Sequence, residues 1–450
     1  MNSYIKRTLL LAGILLVSCV SLRAQNNAPY TLQQLIDSAV AKNNLVSIKE
    51  WQLQEKISKL KEDETKRYPS VILGANYQYN FSLGDLNIPA GAIGSVPTLN
   101  GDRLLPAENQ QMQLGQHANY GADIALYQPL LQQARIKTGL DIDRADIARS
   151  EKEKVKMVRE LKLAVRKLYY GILITRKQRE EAVVRLELAQ VKLTDAESAL
   201  TAGKTISSNL AGLRALVAEE EQNILKLDIV LQDYNHELSD ITNIQHDTNI
   251  SLQPLDTTTA HIETSPVEET FQNAKAANTD LRIARIDQEK ALLGIKAAKR
   301  SNLPDIGLVA GYYYQKGNPI LPTSSPYIGI NLRWNLQDLF TNHQVLRQRE
   351  AQLKQAEHKV LYQQQQLRAD IDKTHRKVNQ TKALMEVARK AMRYRHEELK
   401  VQRDKQGAGL NIKSALLEVE AAAAKSEADF YAAQLSYLLT IAELEHLTGL

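Results

Sequence analysis

Proline placement constrains this chain more than any other feature, because a proline inside a helix costs about 3 kcal/mol or more. Residues 130–253 and residues 327–450 contain no proline. Within the first stretch, apolar residues recur at steps of three and four, as at Val155, Val158 and Leu161, which is the spacing of an amphipathic helix. A helix over residues 130–200 would be about 105 Å long at ~1.5 Å per residue. No ordinary compact domain holds such a helix.

The helical periodicity is interrupted once in each proline-free stretch, at Gly203 and at Gly409. A shorter periodic run follows each interruption, and glycine is the residue that most readily ends a helix. The sequence therefore predicts two helical hairpins, over residues 130–244 and 337–448.

A different pattern precedes each hairpin, namely strict alternation of apolar and polar residues bounded by proline, which predicts strands. After Pro69, the residues Val71, Leu73 and Ala75 alternate with small or polar residues. Such strands suit either lipid on one side and water on the other, or an ordinary sheet packed on helices. The predicted strands cover residues about 70–82, 118–128, 305–315 and 326–336.

The two halves of the chain repeat this pattern. The first strands of each pair match at an offset of 235 residues, and Gly203 and Gly409 lie 206 apart, so the chain is a tandem repeat. Each repeat reads as helix, strand, strand, long helix, helix, over residues 25–244 and 267–450. A polar Thr/Asp/Pro-rich linker joins them at 245–266, and residues 82–118 are predicted to form an exposed loop.

The N-terminus has the pattern of an export signal. Lys6 and Arg7 precede an apolar stretch and then small residues, which predicts a signal peptide over residues 1–24, cleaved after Ala24. The alternative is a lipoprotein signal over residues 1–18, since Leu-Val-Ser-Cys resembles a lipobox and would leave a lipid on Cys19.

Charge and motifs exclude several classes of function. Removing residues 1–24 lowers the formal net charge from +5 to +2, because three basic and no acidic residues leave with them. Basic and acidic residues alternate in the remainder, so nucleic-acid binding is not predicted. The nine histidines form no H-x-x-x-H or H-E-x-x-H pair, and no nucleophile elbow or phosphate-binding loop occurs. We therefore expect a protein that binds no cofactor or metal and that is not an enzyme.

Four strands cannot close a membrane barrel, because the smallest such barrels have eight and open edges are not tolerated in hydrocarbon. Self-association around an axis would pool strands into one closed wall and the long helices into a tube. The aromatic residues at the strand ends are then expected to lie at the membrane interface: Tyr77, Tyr79, Tyr312 and Tyr314.

The twofold order of these motifs resembles the TolC-like outer membrane efflux protein family, also called outer membrane factors. The resemblance spans essentially the whole mature chain and is carried by Thr31-Leu-Gln-Gln-Leu, Tyr68-Pro69, Leu303-Pro304, Tyr127-Gln-Pro-Leu-Leu and the two glycine turns. It implies a mainly α-helical fold, with a trimeric 12-stranded β-barrel in the outer membrane of a Gram-negative bacterium and a periplasmic α-helical tunnel. It further implies passive export coupled to a periplasmic adaptor (membrane fusion) protein and an inner-membrane RND or ABC pump, for efflux or type I secretion.

Two sets of family residues can be carried over to this sequence. The hairpin tips that face the adaptor correspond to Gly203-Lys204 and Gly409-Leu410. The family's paired acids, which ring the closed periplasmic entrance, correspond to Ala415 and Glu418, so that only Glu418 keeps the charge. Three converging Glu418 carboxylates would bind cations there; the alternative is a solvated helix residue.

Two rival classes remain open on sequence alone. A soluble periplasmic coiled-coil adaptor or scaffold would also contain helical hairpins, but it would lack lipid-facing strands. A secreted helical hydrolase is disfavoured because the catalytic motifs above are missing. The sequence indicates no pocket with convergent polar groups, so it does not identify the transported substrate.

Overall fold

The computed structural model of the protein describes residues 29–203, 207–244, 250–254, 265–318, 322–408 and 413–449. The predicted signal peptide, its cleavage site and Cys19 lie outside these ranges, as do the tip residues Lys204, Gly409 and Leu410.

The first half begins with two helices rather than one. The first of them begins with a capping box: the Gln34 N–H donates to Thr31 Oγ1 (3.2 Å) and the Thr31 N–H donates to Gln34 Oε1 (3.0 Å). The main elements of this half are α1 (Leu32–Lys42), α2 (Asn44–Thr65), β1 (Ser70–Tyr79), β6 (Ala118–Pro129), α3 (Gln133–Thr201) and α4 (Ser207–Thr242).

The second half repeats that order. Its elements are α5 (Val267–Ala277), α6 (Thr279–Ser301), β7 (Asp305–Lys316), β8 (Ser324–Arg333), α7 (Gln337–Gly407) and α8 (Lys413–Thr448). Strand β8 ends at Arg333, three residues before the predicted end at 336. The side-chain oxygen of Asn335 instead accepts the N–H of Gln337, the first residue of α7 (3.3 Å).

The region predicted as a plain exposed loop between β1 and β6 contains four short strands. They form two nested antiparallel hairpins, in which β2 (Gly84–Ile88) pairs with β5 (Gln110–Leu114) and β3 (Gly94–Thr98) pairs with β4 (Gly101–Leu105). The region is exposed along almost its whole length, as predicted for a loop, but the sequence analysis did not predict its short strands.

The chain divides into two compact units. The sheet unit comprises Trp51–Glu151 and Ile283–Tyr362, and the helical unit comprises the described parts of Met1–Glu50, Lys152–Arg282 and Gln363–Leu450. Helices α3 and α7 each contribute residues to both. No helix within the described ranges has an apolar stretch long enough to cross a membrane.

The sheet unit is organised by one antiparallel sheet in the order β1-β6-β7-β8. The central ladder, β6 with β7, joins the two repeats and pairs Ile124 with Tyr312. Strands β1 and β8 form the two edges of this sheet.

The helical unit contains the main hydrophobic core. Fully buried residues of α3, such as Val165 and Ile172, pack with Leu35 of α1 and with Tyr431 and Leu435 of α8. The core thus joins the first and last helices of the described part of the chain.

Candidate functional site

One face of the four-stranded sheet is apolar and exposed. Because side chains alternate across a strand, the register places Val71 and Leu73 of β1 on the same face as Ile124 of β6 and Ile328 and Ile330 of β8. Leu73 is 80% exposed and Ile330 is 75% exposed. A continuous exposed apolar surface on a monomer marks a surface that contacts protein or lipid.

The four tyrosines predicted to be interfacial lie on this apolar face, towards the same end of the sheet, and all are at least 42% exposed. A fifth, Tyr120, was missed; it pairs with Tyr77 on one side and with Lys316 on the other. Tyr120 lies within the predicted strand 118–128, and following the alternation to the start of that strand would have placed it on the same face. Phenol and ammonium groups at the end of an apolar strand face are typical of a membrane interface.

The opposite face of the sheet is polar. A cavity of about 540 Å³ lies on this face, near the strand ends that carry the tyrosines, and its lining includes Asn76, Asn119, Asp123 and Gln315.

Glycines interrupt the polar face where tyrosine rings lie across it. A Cβ atom at Gly311 would come within 2.7 Å of the Tyr327 ring and 2.6 Å of the Ile124 carbonyl oxygen, so that position requires glycine.

The predicted gate residue Glu418 lies near the start of α8 and is 55% exposed at its side chain. It forms an ion pair with Lys192 of α3, 226 residues away in sequence. Lys413 and Glu187 join the same two helices nearby (3.7 Å). Lys192 was not predicted, because nothing in a local sequence pattern indicates which helix faces α8.

Helix α3 ends at Thr201, just before Gly203, as the interruption of the periodicity predicts. Gly203 has φ +71°, and its N–H donates to the Leu200 carbonyl oxygen (2.9 Å). A left-handed backbone of this kind is readily adopted by glycine.

Ion pairs define the order of the four long helices in the helical unit. Arg179 of α3 pairs with Asp228 of α4 (2.5 Å), Lys177 of α3 pairs with Glu427 of α8 (3.3 Å), and Lys377 of α7 pairs with Glu443 of α8 (3.0 Å). The pairs therefore place α4 beside α3, α3 beside α8, and α8 beside α7.

Two carboxyl groups in the helices have a raised pKa. Burial raises the pKa of Glu181 on α3, where the neighbouring Arg185 acts in the opposite direction. In the sheet unit, burial and, after it, the negative charge of Asp63 raise the pKa of Asp143. Within the described ranges no group of three or more His, Cys, Asp or Glu side chains is placed to hold a metal ion.

Residues 270–450 match the sequence model of the family described as outer membrane efflux protein. No curated protein matches the chain. Among solved structures, the chain is similar to the Campylobacter jejuni CmeC outer membrane channel, with TM-score 0.73 and 12% identity over 93% of this chain and 85% of that one. It is also similar to the outer membrane protein VceC of Vibrio cholerae, with TM-score 0.70 and 14% identity over 93% and 96%. The outer-membrane channel OprN gives TM-score 0.71 and 14% identity over 93% and 89%.

The resemblance to the TolC-like outer membrane efflux proteins is confirmed, in sequence over residues 270–450 and in fold over 93% of the chain. The predicted mainly helical fold class with its small sheet portion is likewise confirmed.

Proposed function

We propose that this protein is the outer-membrane conduit of a tripartite efflux or type I secretion system, through which cargo leaves the periplasm passively. The observation that carries the proposal is the four-stranded sheet: it exposes an apolar face with tyrosines at one end, and its other face is polar. A strand sheet with lipid on one side and water on the other has this pattern.

Three chains complete the barrel in this proposal. The edges β1 and β8 leave backbone donors and acceptors unpaired at both sides of the sheet, and such edges must be paired in a membrane. Three copies supply twelve strands, with β8 of one protomer beside β1 of the next. Tyr77, Tyr79, Tyr312 and Tyr314 then lie at the outer interface of the lipid bilayer.

The charges of helices α4 and α7 support the same assembly. Helix α4 carries seven acidic and two basic residues, whereas residues 363–407 of α7 carry twelve basic and six acidic residues. Both also expose apolar side chains, Leu225 and Ile229 on α4 and Leu384, Val387 and Tyr394 on α7. A layer that is acidic at one side and basic at the other favours head-to-tail association, which closes as a ring.

The helical hairpins form the periplasmic tunnel in this proposal. Their tips, Gly203-Lys204 and Gly409-Leu410, face a periplasmic adaptor protein, and an inner-membrane RND or ABC pump supplies the cargo. Glu418 is the candidate gate residue, three copies of which surround the periplasmic entrance. The protein itself has no catalytic role.

The test is to isolate the protein from outer-membrane fractions in detergent, to compare heated and unheated samples by gel electrophoresis, and to record conductance in planar bilayers. We expect a heat-sensitive trimer that conducts ions. A protein that is water-soluble without detergent and does not conduct would contradict the proposal and would support the adaptor or scaffold alternative.

A further inference from the structure

The apolar face of the sheet continues past the last strand residues, on the side of the sheet where the long helices begin. On β8, Ile330 and Leu332 lie on this face. Trp334 follows at the next position of the same alternation, just after the strand ends at Arg333. The indole N–H of Trp334 donates to the carbonyl oxygen of Asn302, the residue after α6 (3.2 Å). Trp334 is nevertheless 49% exposed, so its ring remains available to a further partner.

The first turn of α7 extends this apolar surface. The Leu339 N–H donates to the Leu336 carbonyl oxygen (3.2 Å), so the turn already begins at Leu336. Leu336 and Phe340 are four residues apart and therefore lie on one side of the helix, and Phe340 is 83% exposed. Leucines that flank β6 and β7 at the same end of the sheet are exposed as well. We call these exposed side chains the apolar collar: Leu130, Leu303, Trp334, Leu336 and Phe340.

The length of β8 sets the distance between the collar and the tyrosines at the other end of the sheet. Tyr314 pairs with Ser324 across the β7–β8 ladder, and a strand over residues 324–334 is about 33 Å long at ~3.3 Å per residue. A membrane strand tilted by ~40° thus rises about 25 Å, which is the height of the apolar band of outer-membrane barrels. Aromatic residues flank that band at both interfaces. Trp334 therefore lies at the second interface, and Leu336 and Phe340 lie just beyond it.

We propose that the apolar collar is an interfacial membrane anchor: Trp334 and the first turn of α7 insert between the headgroups and the acyl chains of phospholipid in the leaflet that faces the periplasm. Tryptophan favours this boundary, and a helix can lie in it with one apolar side buried by about 5–10 Å. The collar is continuous with the apolar face of the sheet, which favours lipid over a soluble partner. The inference rests on the proposed function, because it takes that face as the outside of the barrel. It goes further in placing the first turn of a helix in the bilayer.

The two tryptophans of the chain, Trp51 and Trp334, allow a direct test. Trp51→Phe leaves Trp334 as the only indole, whereas Trp334→Phe leaves Trp51, which is exposed on α2 about 21 Å from the end of that helix at Thr65. The purified trimer is reconstituted in vesicles whose phospholipid carries bromine, a quencher of indole emission, either near the headgroup or near the middle of the acyl chain. Trp334 should lose more emission to the shallow bromine than to the deep one, and Trp51 should lose none to either.

A second measurement addresses α7 itself. Phe340→Trp is made in a chain in which both native tryptophans are replaced by phenylalanine, and it should also lose emission to the shallow bromine. Ala351→Trp in the same background is the matched control, because Ala351 is exposed on the same side of α7 about three turns later, about 16 Å farther along the helix. Its emission should not change with brominated lipid. Each variant is first required to give the heat-sensitive trimer expected of wild type.

The outcomes separate this inference from the proposed function. If neither Phe340→Trp nor Ala351→Trp is quenched, the anchor is overturned: short-wavelength emission would then assign Phe340 to a contact with the next protomer, and long-wavelength emission would assign it to water. Equal quenching of both variants also overturns the anchor, because the bilayer would then extend far beyond the collar. A Trp334 that neither lipid quenches overturns it whether or not the Phe340 variant folds. Conductance of the same vesicles tests the conduit separately, so that the expected quenching in a protein that does not conduct would support the anchor and contradict the conduit.

Discussion

The ion pair between Lys192 and Glu418 should hold the tip region of α8 against α3 and thereby oppose opening of the periplasmic entrance. Its two side chains are 36% and 55% exposed, and an exposed pair of this kind contributes about 0.5 kcal/mol. Removing it from one protomer should change the opening equilibrium about twofold. Removing it from three protomers that open together amounts to ~1.5 kcal/mol, or about tenfold.

Single-channel recording measures this equilibrium as the open probability. Lys192→Gln and Glu418→Gln should each raise the open probability by the same factor, and the double variant should raise it no further, because either change alone breaks the pair. The charge-exchanged variant Lys192→Glu with Glu418→Lys should restore the wild-type value. High salt should reduce the difference between wild type and the single variants.

The control is the Lys177–Glu427 pair, which joins the same two helices nine residues further along α8 (3.3 Å). If opening separates chiefly the tips, Lys177→Gln should leave the open probability near wild type. A charge exchange that fails to restore gating, or a Lys177→Gln effect as large as that of Lys192→Gln, would refute the reasoning. A Glu418→Ala channel that conducts and is blocked by multivalent cations like wild type would remove Glu418 from the gate.

Three further predictions concern assembly and stability. Leu225→Asp places a charge on an exposed apolar side chain of α4 and should shift the protein from trimer to monomer in size-exclusion chromatography without loss of helical circular dichroism. Gly311→Ala brings a methyl group against the Tyr327 ring and should reduce the yield of heat-sensitive trimer on gels, at a cost of about 1–3 kcal/mol. The pKa of Asp143 is raised in the folded state. Its contribution to the free energy of unfolding is therefore greatest below its unfolded pKa of ~3.9, and it is lost as pH rises through the folded pKa. Asp143→Asn should therefore raise the unfolding temperature at pH 7 and make little difference near pH 3, as measured by scanning calorimetry.

Local patterns predicted the elements but not their partners. Alternation after Pro69 and Pro304 indicated β1 and β7, and the proline-free stretches indicated α3 and α7, because both signals depend on neighbours within a few residues. The hairpins β2–β5 and β3–β4 were missed, since five-residue strands interrupted by glycine and proline resemble a loop.

The candidate sites were predictable to the same limited extent. Glu418 was singled out through the family resemblance, whereas its partner Lys192 is 226 residues distant. Which helices lie side by side at Glu418 is a property of the folded chain, and a local sequence pattern does not determine it.

The core that joins α1 and α3 to α8 has a consequence for the order in which the protein can fold. Val165 and Ile172 pack against Tyr431 and Leu435, so the first repeat emerges during synthesis well before the residues that cover it. Contacts this far apart in sequence form late, and the apolar surface exposed meanwhile is prone to aggregate. The two repeats are therefore not two independent folding domains, and a first repeat expressed alone would lack part of its own interior. Periplasmic chaperones that hold an unfinished chain are an expected requirement for its biogenesis.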